Sequence, residues 1–303
     1  MTTRALDRLF TPRHVAVIGG GAWCRSVFDG LGRIGFDGAI WHVHPTAEDA
    51  VRNVEDLPAP PDASFVAVNR KSTVQVIRQL SAMGAGGAVC FASGYAETAD
   101  GHLLDAALLD AAGDMPIVGP NCYGFVNALD GVAVWPDVHG LVPVTRGVAI
   151  LTQSSNIALN LSMQRRGLPI GFLGTAGNQA QIGISAMGQH LLQDPRITAL
   201  GLYIEGVGEL SALQAMMQTA HALGKPVIAL KSGRSDAAQS AALSHTASMS
   251  GSDIGATALF DRLGIVRVDT LCALTEALKH AHLFGQVTPG PIASLSCSGG
   301  RQV

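Results

Sequence analysis

His245 stands in SGRSDAAQSAALSHTASMSG (232–251), a run of Ser, Ala, Gly and Thr with almost nothing bulky beside the imidazole. Small neighbours leave the ring reachable from several sides, and leave hydroxyls and backbone N–H groups free to meet a phosphate. A positioned imidazole can act as a covalent nucleophile; the competing reading is a loop histidine with a structural hydrogen bond. Glu205 closes the apolar run ALGLYIEG (199–206). A carboxylate at the tip of a buried strand is costly unless paired. A histidine is a natural partner, because the carboxylate fixes its tautomer and raises its basicity; a rim-exposed Glu with no role is the alternative. TQSSN (152–156) leads into a helix that opens NIAL. Ser154, Ser155 and Asn156 are good N-cap residues, so this helix start can present hydroxyls and bare N–H groups to an anion. TAGNQAQ (175–181) is a further small, polar, Gly-containing turn. An acceptor imidazole, an orienting carboxylate and an anion-binding helix start are the parts needed for phosphoryl transfer through histidine.

A second set of residues points to a phosphate-bearing ligand. Gly19, Gly20 and Gly21 follow an apolar strand where a first helix should begin, a turn that exposes N–H groups to phosphate. The dinucleotide fingerprint is only half present, since Cys24 occupies its third glycine position. The second strand ends in HVHPT (42–46), without the acidic residue that an NAD ribose wants there. Both departures count against NAD. GPNCYG (119–124) ends a fifth strand at the carboxyl edge of the sheet, where open α/β sheets bind ligands. Asn121 offers a donor and an acceptor. Cys122 is open to three readings: nucleophile, contact to a ligand thiol, or small apolar residue.

Elements of alternating type must position these groups. The runs at 14–20, 39–45, 64–69, 87–93 and 115–120 read as strands, with helices at 73–83 and 101–112. Continuous apolar strands fit a parallel sheet covered on both faces, so the first part reads as a doubly wound α/β domain. After a turn-rich segment (128–147) the pattern begins again. Strands are expected at 148–153, 168–175, 199–206 and 225–232, and helices at 156–167, 210–224 and 270–285. PIASLSCSGG (291–300) reads as one more strand entering a Gly turn. The expected domains are 1–130, 145–286 and a stub of a third at 287–303.

The bulk composition fits. A chain of 303 residues is long enough for two domains, and 48% hydrophobic against 14% charged residues describes a well-filled core. A net charge of −3 gives no sign of a nucleic-acid or membrane-surface partner. No apolar run reaches the roughly 18 residues of a membrane span, and the first residues lack the apolar segment of a signal peptide. Five scattered cysteines, never paired as CxxC, argue against a zinc site or a disulfide framework and for a reducing, cytoplasmic location. No metal ligands are expected.

These motifs together resemble the NDP-forming acyl-CoA synthetases, the superfamily of succinyl-CoA synthetase and ADP-forming acetyl-CoA synthetase. The resemblance runs in order through the VAVIGG turn, GPNCYG, TQSSN where the family usually shows SQSG, TAGNQAQ, GLYIEG, KPVIALKSGRS and SHTASMSG. It implies an N-terminal Rossmann-like CoA-binding domain followed by a flavodoxin-like succinyl-CoA-ligase domain. Coenzyme A would lie on Gly19, Gly20, Gly21, Asn69, Ser93 and Gly94, with its thiol near Pro120, Asn121 and Cys122. His245 would carry the phosphoryl group, oriented by Glu205, with the helix start at Ser154, Ser155 and Asn156 as its phosphate site. The reaction implied joins a carboxylic acid to CoA at the expense of ATP, through an acyl phosphate and a phosphohistidine. ATP or ADP and Mg2+ would be held by an ATP-grasp domain or subunit that these residues do not supply, and an oligomer is expected. HVHPT replaces the family's frequent VNPK, so a lysine that could meet a CoA phosphate is missing. A non-catalytic CoA or acyl-CoA-binding module is the alternative; an NAD-type oxidoreductase is disfavoured.

Overall fold

The computed structural model describes residues 6–98, 100–233 and 253–286. His245 and the expected stub at 287–303 lie outside these residues. The first sheet is all parallel: β1 (His14–Gly19), β2 (Ala39–Val43), β3 (Ala63–Ala67), β4 (Ala88–Cys90) and β5 (Ile117–Val118), in the order β2-β1-β3-β4-β5. Its strands are short and apolar because helices cover both faces. These helices include α2 (Gly21–Ile34), α3 (Arg70–Ala82) and α4 (His102–Ala112), with a short α1 (Asp7–Phe10) ahead of β1. Strand order reverses between β1 and β3, so their carboxyl ends part and leave the crevice expected of a Rossmann-like sheet.

The second sheet has seven strands. β6 (Phe125–Asn127) and β7 (Val132–Val134) form an antiparallel hairpin; β8 (Gly147–Thr152), β9 (Ile170–Thr175), β10 (Ile197–Ile204), β11 (Val227–Lys231) and β12 (Val266–Val268) are parallel. The order is β12-β11-β10-β8-β9-β6-β7. Among the parallel strands this is the flavodoxin-like order, with its switch point between β8 and β10. α5 (Ser155–Ser162), α6 (Ile184–Leu192), α7 (Leu210–Ala222), α8 (Asp253–Leu263) and α9 (Leu271–Phe284) complete this half. Side chains open several helices: Asn69 caps α3, Ser154 caps α5 and Thr270 caps α9.

The two sheets interlock. β6 pairs antiparallel with β9, so residues 125–134 extend the second sheet although they follow directly on the first. In return, Ile182 bridges to Val118 at the edge of the first sheet, and the side chain of Gln181 accepts from the backbone N–H of Ile117. Phe10 meets Phe125 and Phe172 edge-on and these two stack on each other, at ring separations of 4.9–5.5 Å that join α1 to both β6 and β9. Buried Asn127 donates to the carbonyl of Phe10 at 3.0 Å. A continuous core cluster therefore runs from Val15 and Phe65 in one sheet to Leu200 and Leu202 in the other.

Candidate functional site

The Gly19–Gly21 turn ends β1 and opens α2, whose N-cap Gly20 provides no side-chain cap. Gly19 has φ +124°, and a Cβ there would sit 2.5 Å from the carbonyl of Ala67. Only glycine lets β1 run this close to the end of β3. The first turn of α2, without a side-chain cap, therefore begins where β1 and β3 end. Beside it, His42 hydrogen-bonds the carbonyl of Gly19 at 2.9 Å, and His44 accepts from the backbone N–H groups of Thr46 and Ala47. The ring of His44 reaches Gly20, so that a Cβ there would lie 2.8 Å from its Nε2.

GPNCYG is held by the loop that follows β9. Asn178 and Ala180 donate their backbone N–H groups to the carbonyls of Pro120 and Gly119, both at 2.9 Å. Asn121 takes a left-handed backbone (φ +57°) and donates its side chain to Asn178 at 3.3 Å. Asn178 in turn bonds Glu97, whose carboxylate also accepts from the N–H groups of Gly94 and Tyr95. Gly177 packs against the loop so tightly that a Cβ would lie 2.6 Å from the carbonyl of Asn121. The two motifs, which start at residues 119 and 175, thus form one platform.

A cavity of about 560 Å3 opens on this platform, lined by Ala67 at the end of β3 and by Val68, Asn69 and Arg70 that lead into α3, by Phe91, Ala92 and Ser93 that follow β4, and by Asn121, Cys122, Tyr123 and Ser155. It brings together five of the residues singled out in the sequence: Asn69, Ser93, Asn121, Cys122 and Ser155. Gly94 flanks it, its carbonyl held by Arg70 at 2.7 Å. The Gly19–Gly21 turn adjoins it through the contact of Gly19 with Ala67. Burial pushes the thiol of Cys122 up to about 12, against weaker opposing hydrogen bonds to Gly124 and Thr175. Such a thiol is a poor nucleophile, which favours the small apolar reading of Cys122.

Ser154 accepts from the N–H of Ile157 at 3.4 Å and caps α5, while Ser155 begins that helix on the cavity wall. Asn156 is exposed and does not line the cavity, and its main-chain carbonyl accepts from the side chain of Asn160. Glu205 follows β10, half-buried, and does not line the cavity. Its backbone N–H donates to the side-chain carbonyl of Gln153 at 2.6 Å. Gln153 is 4% exposed; it also accepts from the N–H of Gly206 at 2.8 Å and donates to the carbonyl of Gly206 at 2.7 Å. It therefore ties the ends of β8 and β10 together at the switch point. Lys231, buried at the end of β11, neighbours Glu205: burial lowers its pKa, and the charges of Asp253 and Glu205 oppose that shift.

Sequence reading missed Gln153, Arg70, Phe91 and Tyr123. Gln153 had a signal, a polar residue inside a strand end. Arg70 also had one, a cation directly after the Asn cap of a helix. Among the described residues Arg70 is the only charged one lining the cavity, and it is engaged by both carboxylate oxygens of Asp100. Among the described residues no cluster of His, Cys, Asp or Glu could hold a metal, and no helix is long and apolar enough to cross a membrane.

Residues 13–128 match the model of a CoA binding domain, and residues 145–281 that of the succinyl-CoA ligase like flavodoxin domain. The chain is 30% identical to a trans-feruloyl-CoA synthase of an unknown prokaryotic organism, over 92% of this chain and 42% of that protein. It is 28% identical to the alpha subunit of the ADP-forming acetate–CoA ligase II of Pyrococcus furiosus, over 98% of this chain and 67% of the subunit. The solved structure of the dinucleotide-forming acetyl-coenzyme A synthetase 1 of Ca. Korarchaeum cryptofilum, in complex with phosphate and ADP, superposes with a TM-score of 0.80 at 25% identity, over 90% of this chain and 62% of that one. The chain thus spans roughly half the length of several relatives that it matches. With its two domains in the order the motifs implied, it belongs to the superfamily of the NDP-forming acyl-CoA synthetases.

Proposed function

We propose that the chain is the CoA-binding and phosphohistidine-carrying part of an ADP-forming acyl-CoA ligase. The observation that carries this is the cavity shared by Asn121 and Cys122 on one sheet and Ser155 at the start of α5 on the other. Coenzyme A would lie across the first sheet, its phosphates at the Gly19–Gly21 turn and its thiol at GPNCYG. Phosphate would sit at the start of α5, where N–H groups and hydroxyls favour an anion.

In the degradative direction, a phosphate oxygen attacks the thioester carbonyl; the C–S bond breaks, a C–O bond forms, and the proton goes to the CoA thiolate. His245 then attacks the phosphorus of the acyl phosphate and releases the carboxylate. Glu205 fixes the imidazole and stabilises its charged form. ADP, with Mg2+, would take the phosphoryl group on an ATP-grasp domain or subunit and yield ATP. The location that goes with this reading is the cytoplasm.

Incubation with labelled ATP and the ATP-grasp partner, or with acyl-CoA and labelled phosphate, should leave an acid-labile, alkali-stable mark on this chain. His245→Ala should abolish it. Glu205→Gln should keep the fold and slow labelling by roughly 10²-fold. Calorimetric titration should show heat with CoA and none with NAD. A mark that resists acid or survives in His245→Ala would reduce the chain to a CoA-binding module.

A further inference from the structure

Three aromatic rings from separate segments meet, two of them, Phe91 and Tyr123, in the lining of the cavity. Trp23 comes from the first turn of α2, Phe91 follows β4, and Tyr123 follows Cys122. Their centroids lie 5.3 Å (Trp23–Phe91), 5.9 Å (Phe91–Tyr123) and 6.2 Å (Trp23–Tyr123) apart, all with tilted planes. Buried rings hold two of them in place: Phe65 stands 5.6 Å behind Phe91, and Trp135 makes an edge contact with Tyr123 at 5.3 Å. Trp23 remains 45% exposed, so its outer face is available.

The chemistry says what this space must hold. The acyl carbonyl carbon passes from sulfur to a phosphate oxygen, so it must reach both the thiol site at Asn121–Cys122 and the phosphate site at Ser155. Phe91 and Tyr123 line the same cavity as those residues. The substituent on that carbon therefore projects into space bordered by the rings. A two-carbon acyl group would leave the ring faces in water. A flat unsaturated group would cover them and gain the offset or edge-on contacts that aromatic pairs prefer. Arg70, the one cation of the lining among the described residues, is engaged by Asp100 and the carbonyl of Gly94. The described lining thus provides no uncommitted cation for the second carboxylate of a dicarboxylic acyl group.

We infer that the cavity takes an aromatic acyl group, aryl or arylalkenyl, with its ring against Tyr123 and Phe91 and bordered by Trp23. This rests on the reading of the cavity as the meeting point of thiol and phosphate. The test is titration of the full chain with CoA, acetyl-CoA and cinnamoyl-CoA, by calorimetry and by tryptophan emission. Cinnamoyl-CoA should bind more than about tenfold more tightly than acetyl-CoA, the gain expected for burying one aromatic ring. Trp23→Ala and Tyr123→Leu should each remove at least a factor of about three of that preference, read as the ratio of the two thioester affinities within each variant, whereas Tyr123→Phe keeps it. Trp23 is exposed enough that its replacement spares the fold. If CoA binds and the two thioesters bind equally, or if the preference survives both variants, the aromatic inference falls and the coenzyme reading stands. If none of the three ligands binds, the coenzyme reading falls and takes the inference with it.

Discussion

Replacing Gln153 by leucine would take the tie out of the second sheet's switch point. The side chain is nearly fully buried and makes three hydrogen bonds of 2.6–2.8 Å, all to the main chain of Glu205 and Gly206. Leucine fills similar space but leaves two N–H groups and one carbonyl without a partner. Each orphaned buried group costs about 1–3 kcal/mol. The two groups of buried Gly206 bear this in full, and the N–H of half-buried Glu205 regains part of it from water. The total is about 3–5 kcal/mol, which for a chain of this size lowers the melting temperature by about 6–15 °C. Scanning calorimetry measures it. Gln153→Glu sharpens the test. Ionised, it keeps the acceptor for two N–H groups but turns an oxygen toward the carbonyl of Gly206; protonated, it can donate there as glutamine does. Burial and that carbonyl raise its pKa in the folded state above the unfolded value. Stability is then fully present below the unfolded pKa and lost as pH rises through the folded one. The Glu variant should therefore approach wild type near pH 4.5 and fall behind at pH 8, while the Leu variant shows no such recovery. A Leu variant within about 1 kcal/mol of wild type would refute the reasoning, because the cost argued from orphaned groups would be absent.

Gly177→Ala should cost about 2–4 kcal/mol and weaken CoA binding together, since a Cβ at φ +53° meets the carbonyls of Pro120 and Asn121; unchanged affinity in calorimetry would separate the platform from the ligand site. His139 is buried, and burial, then the charge of Arg33, push its pKa down to about 4 from 6.5. The unfolded chain takes up its proton first, so stability should drop by about 2 kcal/mol between pH 7 and pH 5, and urea titrations of His139→Leu should show a shallower pH slope. Among the described cysteines, iodoacetamide at neutral pH should mark exposed Cys272 and spare Cys24, Cys90 and Cys122, whose thiols burial pushes up; rapid labelling of Cys122 on peptide mapping would revive it as a nucleophile.

Most parallel strands were legible because a strand covered on both faces must be apolar throughout, as HVAVIG and GVAILT are. The hairpin of β6 and β7 was not. Its strands have three residues each and are broken by Asp130 and Gly131, so Val132–Val134 read as part of a turn-rich stretch. Helix α6 also escaped, because Gly183 and Gly188 dilute its helical pattern. Of the site, the motifs themselves could be read: GPNCYG, TQSSN and TAGNQAQ all fall at strand ends. Which of them touch could not. The hydrogen bonds from Asn178 to Pro120, or the approach of Tyr123 to Trp23, depend on how two sheets are placed, and local periodicity carries no information about that. Gln153 could be seen as a buried polar residue, but its partners lie fifty residues away.

The pairing of β6 with β9 bears on how this molecule can be cut. A fragment opened at residue 145, where the match to the flavodoxin domain starts, would lack the hairpin. β9 would then present the bare amide edge of Ile170–Thr175, six buried residues without a charge among them. Such an edge invites another copy to add its own strand. Residues 125–134 therefore act as a built-in guard against self-association, carried by the segment that leaves the coenzyme half. A soluble excision of the second half should begin ahead of Phe125.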